Sequence, residues 1–125
     1  MKIENRFMFN FAVCLGLLVV VLGAFGAHAL KAILSPYELS VWQTALQYQM
    51  FHTPVILVLS FVPTNKYLDK ALMCFVSGII IFSGSLYILA ISGIKILGMI
   101  TPIGGVILIV AWILLFVAAN LNKTT

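Results

Sequence analysis

The chain has 125 residues, of which 63% are hydrophobic and only 8% are charged, and its net charge is +4. Soluble domains carry charge on roughly a quarter of their residues, so this composition and a mean hydropathy of +1.20 exclude an ordinary soluble domain. The seven basic residues are scattered and form no patch that would bind phosphates, so no nucleic-acid partner is predicted. The sequence indicates an integral membrane protein whose partner is the lipid bilayer.

Four apolar stretches fill most of the chain, and each has about the 20 residues that a helix needs to cross the hydrocarbon core. We predict spans at about residues 7–27, 42–62, 71–91 and 102–119, within one transmembrane domain at 1–125. The predicted fold class is all-α, an integral membrane four-helix bundle with short connections. A secretory signal ending near Ala27-His28-Ala29 is the alternative for the first stretch, but its apolar run exceeds the roughly 7 to 15 residues of a signal peptide.

The second helix has the clearest start signal. Ser35, Pro36 and Glu38 supply a hydroxyl cap, a proline at the first helical position and a glutamate at the third. This predicts a helix from near Pro36 that stops before Pro63 and is kinked at Pro54. Residues 36–45 either lie in the membrane interface or belong to the span.

Two further starts and one stop are predicted from turn residues. Thr64 to Lys70 reads as a polar turn before the third helix, which ends at Ser92-Gly93. The pair Thr101-Pro102 repeats the cap-then-proline signal and predicts the start of the fourth helix, which runs to about Ala119.

The distribution of basic residues predicts the orientation, because cytoplasmic loops are enriched in Lys and Arg. In a four-span topology one side holds Lys2, Arg6, Lys66, Lys70 and Lys123, and the other holds Lys31 and Lys95. Five residues against two place both termini in the cytoplasm.

Small residues mark candidate helix contacts, because they let backbones approach closely in a membrane. They recur at intervals of seven in three helices, as Gly16 and Gly23, Ser77 and Gly84, and Gly104, Ala111 and Ala118.

Polar side chains concentrate on the second helix in two opposed stripes. At 100° per residue, Glu38, Trp42, Ala45, Gln49 and His52 share one side, and Ser40, Gln43 and Gln47 lie nearly opposite. Unsatisfied amides and an imidazole are costly in hydrocarbon. The outer half of this helix is therefore expected to contact other helices, another subunit or water.

Three interpretations of these polar residues remain open. The first is an interhelical hydrogen-bond network that orders the bundle. In the second, Trp42, Tyr48 and Gln49 hold a quinone or another polar ligand. In the third, His28 and His52 ligate haem or a metal, although their expected difference in depth disfavours it.

Other classes lack the residues that they need. No acidic residue lies at mid-membrane, which disfavours a proton-driven exporter. No nucleophile with a base, phosphate loop or Cys/His metal cluster is apparent, so no catalytic residue, no metal site and no cofactor are predicted. Cys14 and Cys74 lie in apolar spans and are expected to pack as hydrophobic residues.

Several motifs in fixed order resemble those of one small four-span family. That family includes transmembrane protein 256 and many bacterial inner-membrane proteins. The resemblance covers essentially the whole chain, at residues 23–28, 42–45, 48–49, 52–53, 82–87 and 101–105. It implies a multi-pass protein of the bacterial plasma (inner) membrane and implies no activity. Its motifs coincide with the polar residues, which makes the candidate site His28, Trp42, Gln49, His52, Ser83, Ser85 and Tyr87.

The sequence therefore favours a non-enzymatic structural, accessory or oligomeric component of the membrane, as a homo-oligomer or within a larger complex. The alternative is a small binding or permeation module for a lipid, a quinone or a small solute. A haem-bearing electron carrier is the third hypothesis.

Overall fold

A computed structural model describes residues 1–121, and Lys123 of the predicted cytoplasmic charge cluster lies outside them. The regular elements of this part of the chain are helices: α1 at Arg6–His28, a short 3-10 turn at Leu30–Ala32, α2 at Pro36–Leu59, α3 at Lys66–Ser92 and α4 at Leu97–Leu121. The all-α prediction is confirmed.

Three of the helical segments are long and apolar enough to cross a membrane, Arg6–Ala32, Lys66–Ser92 and Leu97–Leu121. Helix α2 is less apolar because it carries three glutamines and a histidine among its 24 residues. Its start has the indicated capping box: the Ser35 hydroxyl accepts from the Glu38 N–H, and the Glu38 carboxylate accepts from the Ser35 N–H.

Two predicted helix starts are wrong. Helix α3 begins at Lys66 rather than after a polar turn, because the Asn65 side chain accepts from the backbone N–H groups of Tyr67 and Leu68 and caps it. Helix α4 begins at Leu97, so Thr101 is no cap and Pro102 lies inside the helix. The Thr101 hydroxyl instead donates to the Leu97 carbonyl at 3.2 Å.

The helices pack in chain order, α1 on α2, α2 on α3 and α3 on α4. Consecutive helices run antiparallel. Between α1 and α2, the Ser60 carbonyl accepts from the Glu4 and Asn5 N–H groups at one end, and Trp42 bonds the Leu22 carbonyl near the other. The main core cluster contains residues from all four helices, including Ala12, Ile56, Phe75 and Leu108.

Helices α3 and α4 approach most closely. The predicted seam of Gly104, Ala111 and Ala118 is buried there. A Cβ atom at Gly104 would lie 2.5 Å from the Phe82 backbone nitrogen, so only glycine fits this contact. On α3 the close contact is made by Gly78 against Leu108, whereas a Cβ atom at the predicted Gly84 would meet nothing within 4 Å.

Candidate functional site

Gln49 lies at the centre of the polar residues and joins three helices. Its amide nitrogen donates to the Leu15 carbonyl of α1 at 3.0 Å, and its amide oxygen accepts from the Tyr87 hydroxyl of α3 at 2.8 Å. The side chain is 3% exposed. Both ends of the amide are therefore used in interhelical hydrogen bonds, which are among the forces that hold helices together in lipid.

Trp42 lies two turns before Gln49 on the same side of α2. Its indole N–H donates to the Leu22 carbonyl at 3.1 Å, and its ring meets the Tyr87 ring edge-on with centroids 4.7 Å apart. Gly26 of α1 makes room for the indole, because a Cβ atom there would lie 2.5 Å from the Trp42 Nε1. Trp42 thus fixes the α1–α2 contact toward the end of α1.

His52 is buried among aromatic rings and has a partner on each ring nitrogen. The Nδ1 lies 2.7 Å from the Tyr48 carbonyl, and the Trp112 indole N–H donates to Nε2 at 3.2 Å. A carbonyl only accepts and an indole N–H only donates. The imidazole is therefore neutral, with its proton on Nδ1.

Ser83 and Ser85 of α3 contact two different helices. Ser83 donates to the Ala45 carbonyl of α2 at 2.8 Å, whereas the Ser85 hydroxyl lies 2.7 Å from the Thr101 hydroxyl of α4. The structure thus brings Trp42, Gln49, Ser83 and Tyr87 together between α1, α2 and α3, and places Ser85 on the α4 side.

His28 does not join this cluster. It is exposed at the end of α1. The Gln49–Leu15 bond sets the register of α1 and α2, so His52 is level with about Ala12, which is roughly 24 Å from His28 at 1.5 Å per residue. The two imidazoles are too far apart to ligate one iron or metal ion. No three His, Cys, Asp or Glu side chains cluster within residues 1–121.

A groove of about 660 Å³ lies beside His52 between α2 and α4. Its aromatic lining is Tyr48, Phe51, His52, Phe82 and Trp112, and Gln47 and Gly105 also border it. The Tyr48 and Phe82 rings are 4.2 Å apart. The Gln47 amide and the Tyr48 hydroxyl have no hydrogen-bond partner in the described part of the chain.

Sequence reasoning missed Trp112 as a site residue, although the sequence indicates that it needs a buried hydrogen-bond partner. It is one of two tryptophans in the chain and lies in the middle of an apolar helix, whereas membrane tryptophans are enriched at the interfaces. A tryptophan at that depth needs an acceptor for its N–H. The unprotonated nitrogen of His52 is that acceptor.

Comparison with known proteins places the chain in a family. A family model described as "protein of unknown function (DUF423)" matches residues 22–105, which include all seven predicted site residues. The chain belongs to the DUF423 family. This confirms the resemblance found in the sequence.

Three bacterial relatives of this DUF423 protein illustrate the similarity. A UPF0382 membrane protein of Staphylococcus aureus is 48% identical over 98 residues, 77% of this chain and 80% of the relative. The UPF0382 membrane protein YwdK of Bacillus subtilis is 45% identical over 107 residues, 82% of this chain and 87% of its own length. The UPF0382 inner membrane protein YgdD of Escherichia coli is 39% identical over 120 residues, 92% and 90% of the two chains.

No solved structure matches this DUF423 chain significantly. Its relatives are named membrane proteins, and its apolar helices fit that setting. The chain is a multi-pass protein of the bacterial cell membrane, in a family whose function is unknown.

Proposed function

We propose that this protein is a non-enzymatic structural or accessory component of the cell membrane, which crosses the bilayer four times. One observation carries the proposal: the buried polar side chains of the predicted site are used in hydrogen bonds within the bundle, and those of Gln49 and Ser83 join helices. Within residues 1–121, no buried side-chain nitrogen or oxygen lacks a hydrogen-bond partner. Chemistry requires a reactive group that is free to meet a substrate, and the cluster around Gln49 offers none.

The fourth crossing is supported by the register of α1 and α2. Contacts join the two helices at both ends and at Gln49 in the middle. At 24 residues α2 is about 36 Å long, which is enough to span the hydrocarbon core. Because α1 is apolar enough to cross the membrane, an antiparallel helix packed along it lies at the same depths.

The cytoplasmic location of both termini is supported by the same antiparallel order. It places Lys2, Arg6, Lys66 and Lys70 at one end of the bundle and Lys31 and Lys95 at the other. This is the distribution that the positive-inside rule predicts for an N-terminus in the cytoplasm.

The structural role is tested with a matched pair of tyrosine variants in detergent micelles. Tyr87→Phe removes the hydroxyl that bonds Gln49, so we expect the free energy of unfolding to fall by about 1 kcal/mol, the order measured for interhelical hydrogen bonds in membranes. Tyr48→Phe removes a hydroxyl without a partner in the structure and is expected to leave stability unchanged. Equal stability of both variants and the wild type would contradict the structural role.

The groove beside His52 favours a second candidate function, binding of a small apolar molecule that carries a hydrogen-bonding group. Its volume of about 660 Å³ lies within the usual range of ligand pockets. The free Gln47 amide and Tyr48 hydroxyl could meet the polar group of a quinone or another amphipathic molecule. Such a ligand would occupy the α2–α4 groove rather than the closed cluster of Trp42 and Gln49.

Native mass spectrometry of protein gently extracted from its own membrane tests the second candidate. Binding predicts a stoichiometric added mass that is lost in Gly105→Leu, whose side chain would fill the groove. Ile113→Phe, on an exposed part of α4 outside the groove, is the control and should retain that mass. A wild-type spectrum that shows only protein would exclude a tightly bound ligand.

A further inference from the structure

The outward face of α2 carries two amides that the described part of the chain leaves unpaired. Gln43 and Gln47 are both exposed. Neither side chain hydrogen-bonds to any residue in 1–121. They lie one helical turn apart and therefore on the same side of α2, and Gln47 is near the middle of the helix.

The other polar groups on this face differ from the two glutamines. The Ser40 hydroxyl donates to the Tyr37 carbonyl at 2.6 Å, and the Thr44 hydroxyl donates to the Ser40 carbonyl at 3.0 Å. The hydroxyl groups of these short side chains therefore donate to backbone carbonyls of their own helix. The two glutamine amides remain the groups on this face that need an external partner.

Lipid chains provide no such partner, because hydrocarbon has neither donors nor acceptors and an unsatisfied polar group there is costly. We propose that the face of α2 defined by Gln43 and Gln47 binds the same face of a second copy of this chain. The proposal rests on the four-span topology proposed above, in which Gln47 near the middle of α2 lies within the bilayer and Gln43 lies one turn closer to its surface.

A second copy fits this surface because the surface is complementary to itself. Copies inserted with the same orientation are related by a two-fold axis along the membrane normal, so their α2 helices run parallel and each residue can face its counterpart. A glutamine amide contains both a donor and an acceptor, so the same glutamine in two copies can form a hydrogen bond with itself across the interface. The charged residue of α2, Glu38, lies about 140° away from Gln43 around the helix and adds no repulsion.

Disulfide cross-linking in native membranes tests the contact. Cys14 and Cys74 are first replaced by alanine, and single cysteines are then introduced as Gln43→Cys or Gln47→Cys. With a membrane-permeant oxidant, we expect a cross-linked dimer at one or both positions, because a disulfide needs Cα atoms within about 7 Å. The matched control is Val20→Cys on the exposed face of α1. Cross-linking no greater than this control would overturn the proposal.

The second test removes the amides. Dissociation of the dimer in lipid bilayers is measured by energy transfer between labelled copies. The double variant Gln43→Leu with Gln47→Leu should raise the dissociation constant about tenfold or more, since tenfold corresponds to about 1.4 kcal/mol. Gln43→Asn with Gln47→Asn keeps the amides and should recover part of the affinity. Leu17→Val with Val20→Leu, on exposed α1 positions, should leave it unchanged.

The outcomes separate this inference from the proposed function. A folded wild-type monomer in bilayers, or a leucine variant that dimerises as tightly as the wild type, would overturn the α2 interface. Either result would leave the structural role of Gln49 and Tyr87 intact, because that role is tested by stability within one chain. A complex that contains a different protein and a single copy of this chain would also overturn the second copy as the partner.

Discussion

Gly26 allows the indole of Trp42 to lie against α1. A Cβ atom there would approach the indole nitrogen to 2.5 Å, and Trp42 is only 2% exposed, so the ring has little room to move. We expect Gly26→Ala to lower the free energy of unfolding by about 1–3 kcal/mol, the usual effect of overpacking. Thermal unfolding followed by circular dichroism in micelles measures this.

Gly23 supplies the control for that prediction. A Cβ atom at Gly23 meets nothing within 4 Å, so Gly23→Ala should gain helix propensity, worth up to about 1 kcal/mol, without a clash. If Gly26→Ala were as stable as Gly23→Ala, the indole would not be held by this contact.

The sequence predicts which polar residues of α2 share a side, but it does not predict which side is buried or which groups form the hydrogen bonds. The helical period groups Trp42, Gln49 and His52, and the structure buries all three. Trp42 and Gln49 bond backbone carbonyls of Leu22 and Leu15, and every residue has a carbonyl regardless of its type. Which carbonyl accepts depends on the register between helices, and the side-chain pattern of one helix does not contain that register.

At the scale of elements, the closest backbone approach between α3 and α4 depends on Gly104. A Cβ atom at Gly104 would lie within 3 Å of the Phe82 backbone, which cannot rotate away, whereas one at Gly105 would meet the Phe82 ring at an ordinary 3.7 Å. We expect Gly104→Ala to separate the helices and destabilise the protein by about 1–3 kcal/mol. Gly105→Ala should be neutral or slightly stabilising.

Thermal unfolding of the two variants, side by side in the same detergent, checks this prediction. Both variants add one methyl group to the same helix, so a difference between them reports the contact with α3 rather than helix propensity. Equal melting temperatures would show that α4 can shift to accommodate the methyl group.

The start of α2 predicts a dependence of stability on pH. Glu38 precedes the predicted span at about 42–62. The Ser35 backbone N–H donates to the Glu38 carboxylate and, together with the Ser35 hydroxyl, lowers the pKa of Glu38. A lowered pKa in the folded state adds stability above the pKa of the unfolded chain, about 4.3. This contribution is lost as the pH falls through the folded-state pKa.

Glu38→Gln tests this dependence, because glutamine can still accept the Ser35 N–H bond but does not titrate. We expect the wild type to lose more stability than Glu38→Gln when the pH is lowered from 6 to below about 4. Unfolding in micelles over this pH range measures the difference. Parallel losses in the two proteins would contradict the role of the carboxylate.

Helix boundaries show why element starts are harder to predict than apolar runs. The sequence Ser35-Pro36-Tyr37-Glu38 predicts a helix start, and the structure has a capping box there. Thr101-Pro102 has the same local chemistry, but the helix has already begun at Leu97. Pro102 is tolerated inside the helix because a proline near a helix start removes only one backbone hydrogen bond. The predicted polar turn includes Asn65, because the charged residues Lys66, Asp69 and Lys70 after it obscure the first turn of an amphipathic helix.

At the scale of the whole molecule, the orientation in the membrane is the prediction that accessibility labelling can test. Lys31, Lys66 and Lys95 are all exposed. With Cys14 and Cys74 replaced and each lysine changed singly to cysteine, a membrane-impermeant maleimide should label Lys66→Cys only from the cytoplasmic side. Lys31→Cys and Lys95→Cys should be labelled only from outside.

Each labelling pattern distinguishes a different topology. Labelling of Lys66→Cys from outside would reverse the orientation. Labelling of Lys31→Cys and Lys66→Cys from the same side would mean that α2 does not cross, and would contradict the four-span proposal directly.

The bonds that Gln49 makes to α1 and α3 also have a consequence for biogenesis. Helix α2 is the least apolar of the four helices, and the residues that satisfy Gln49 are made at different times: Leu15 before it and Tyr87 after it. While the ribosome has not yet released α3, the amide oxygen of Gln49 lacks its partner. The hydrogen bonds of Gln49 are therefore complete only after α3 has been made and has packed against α2.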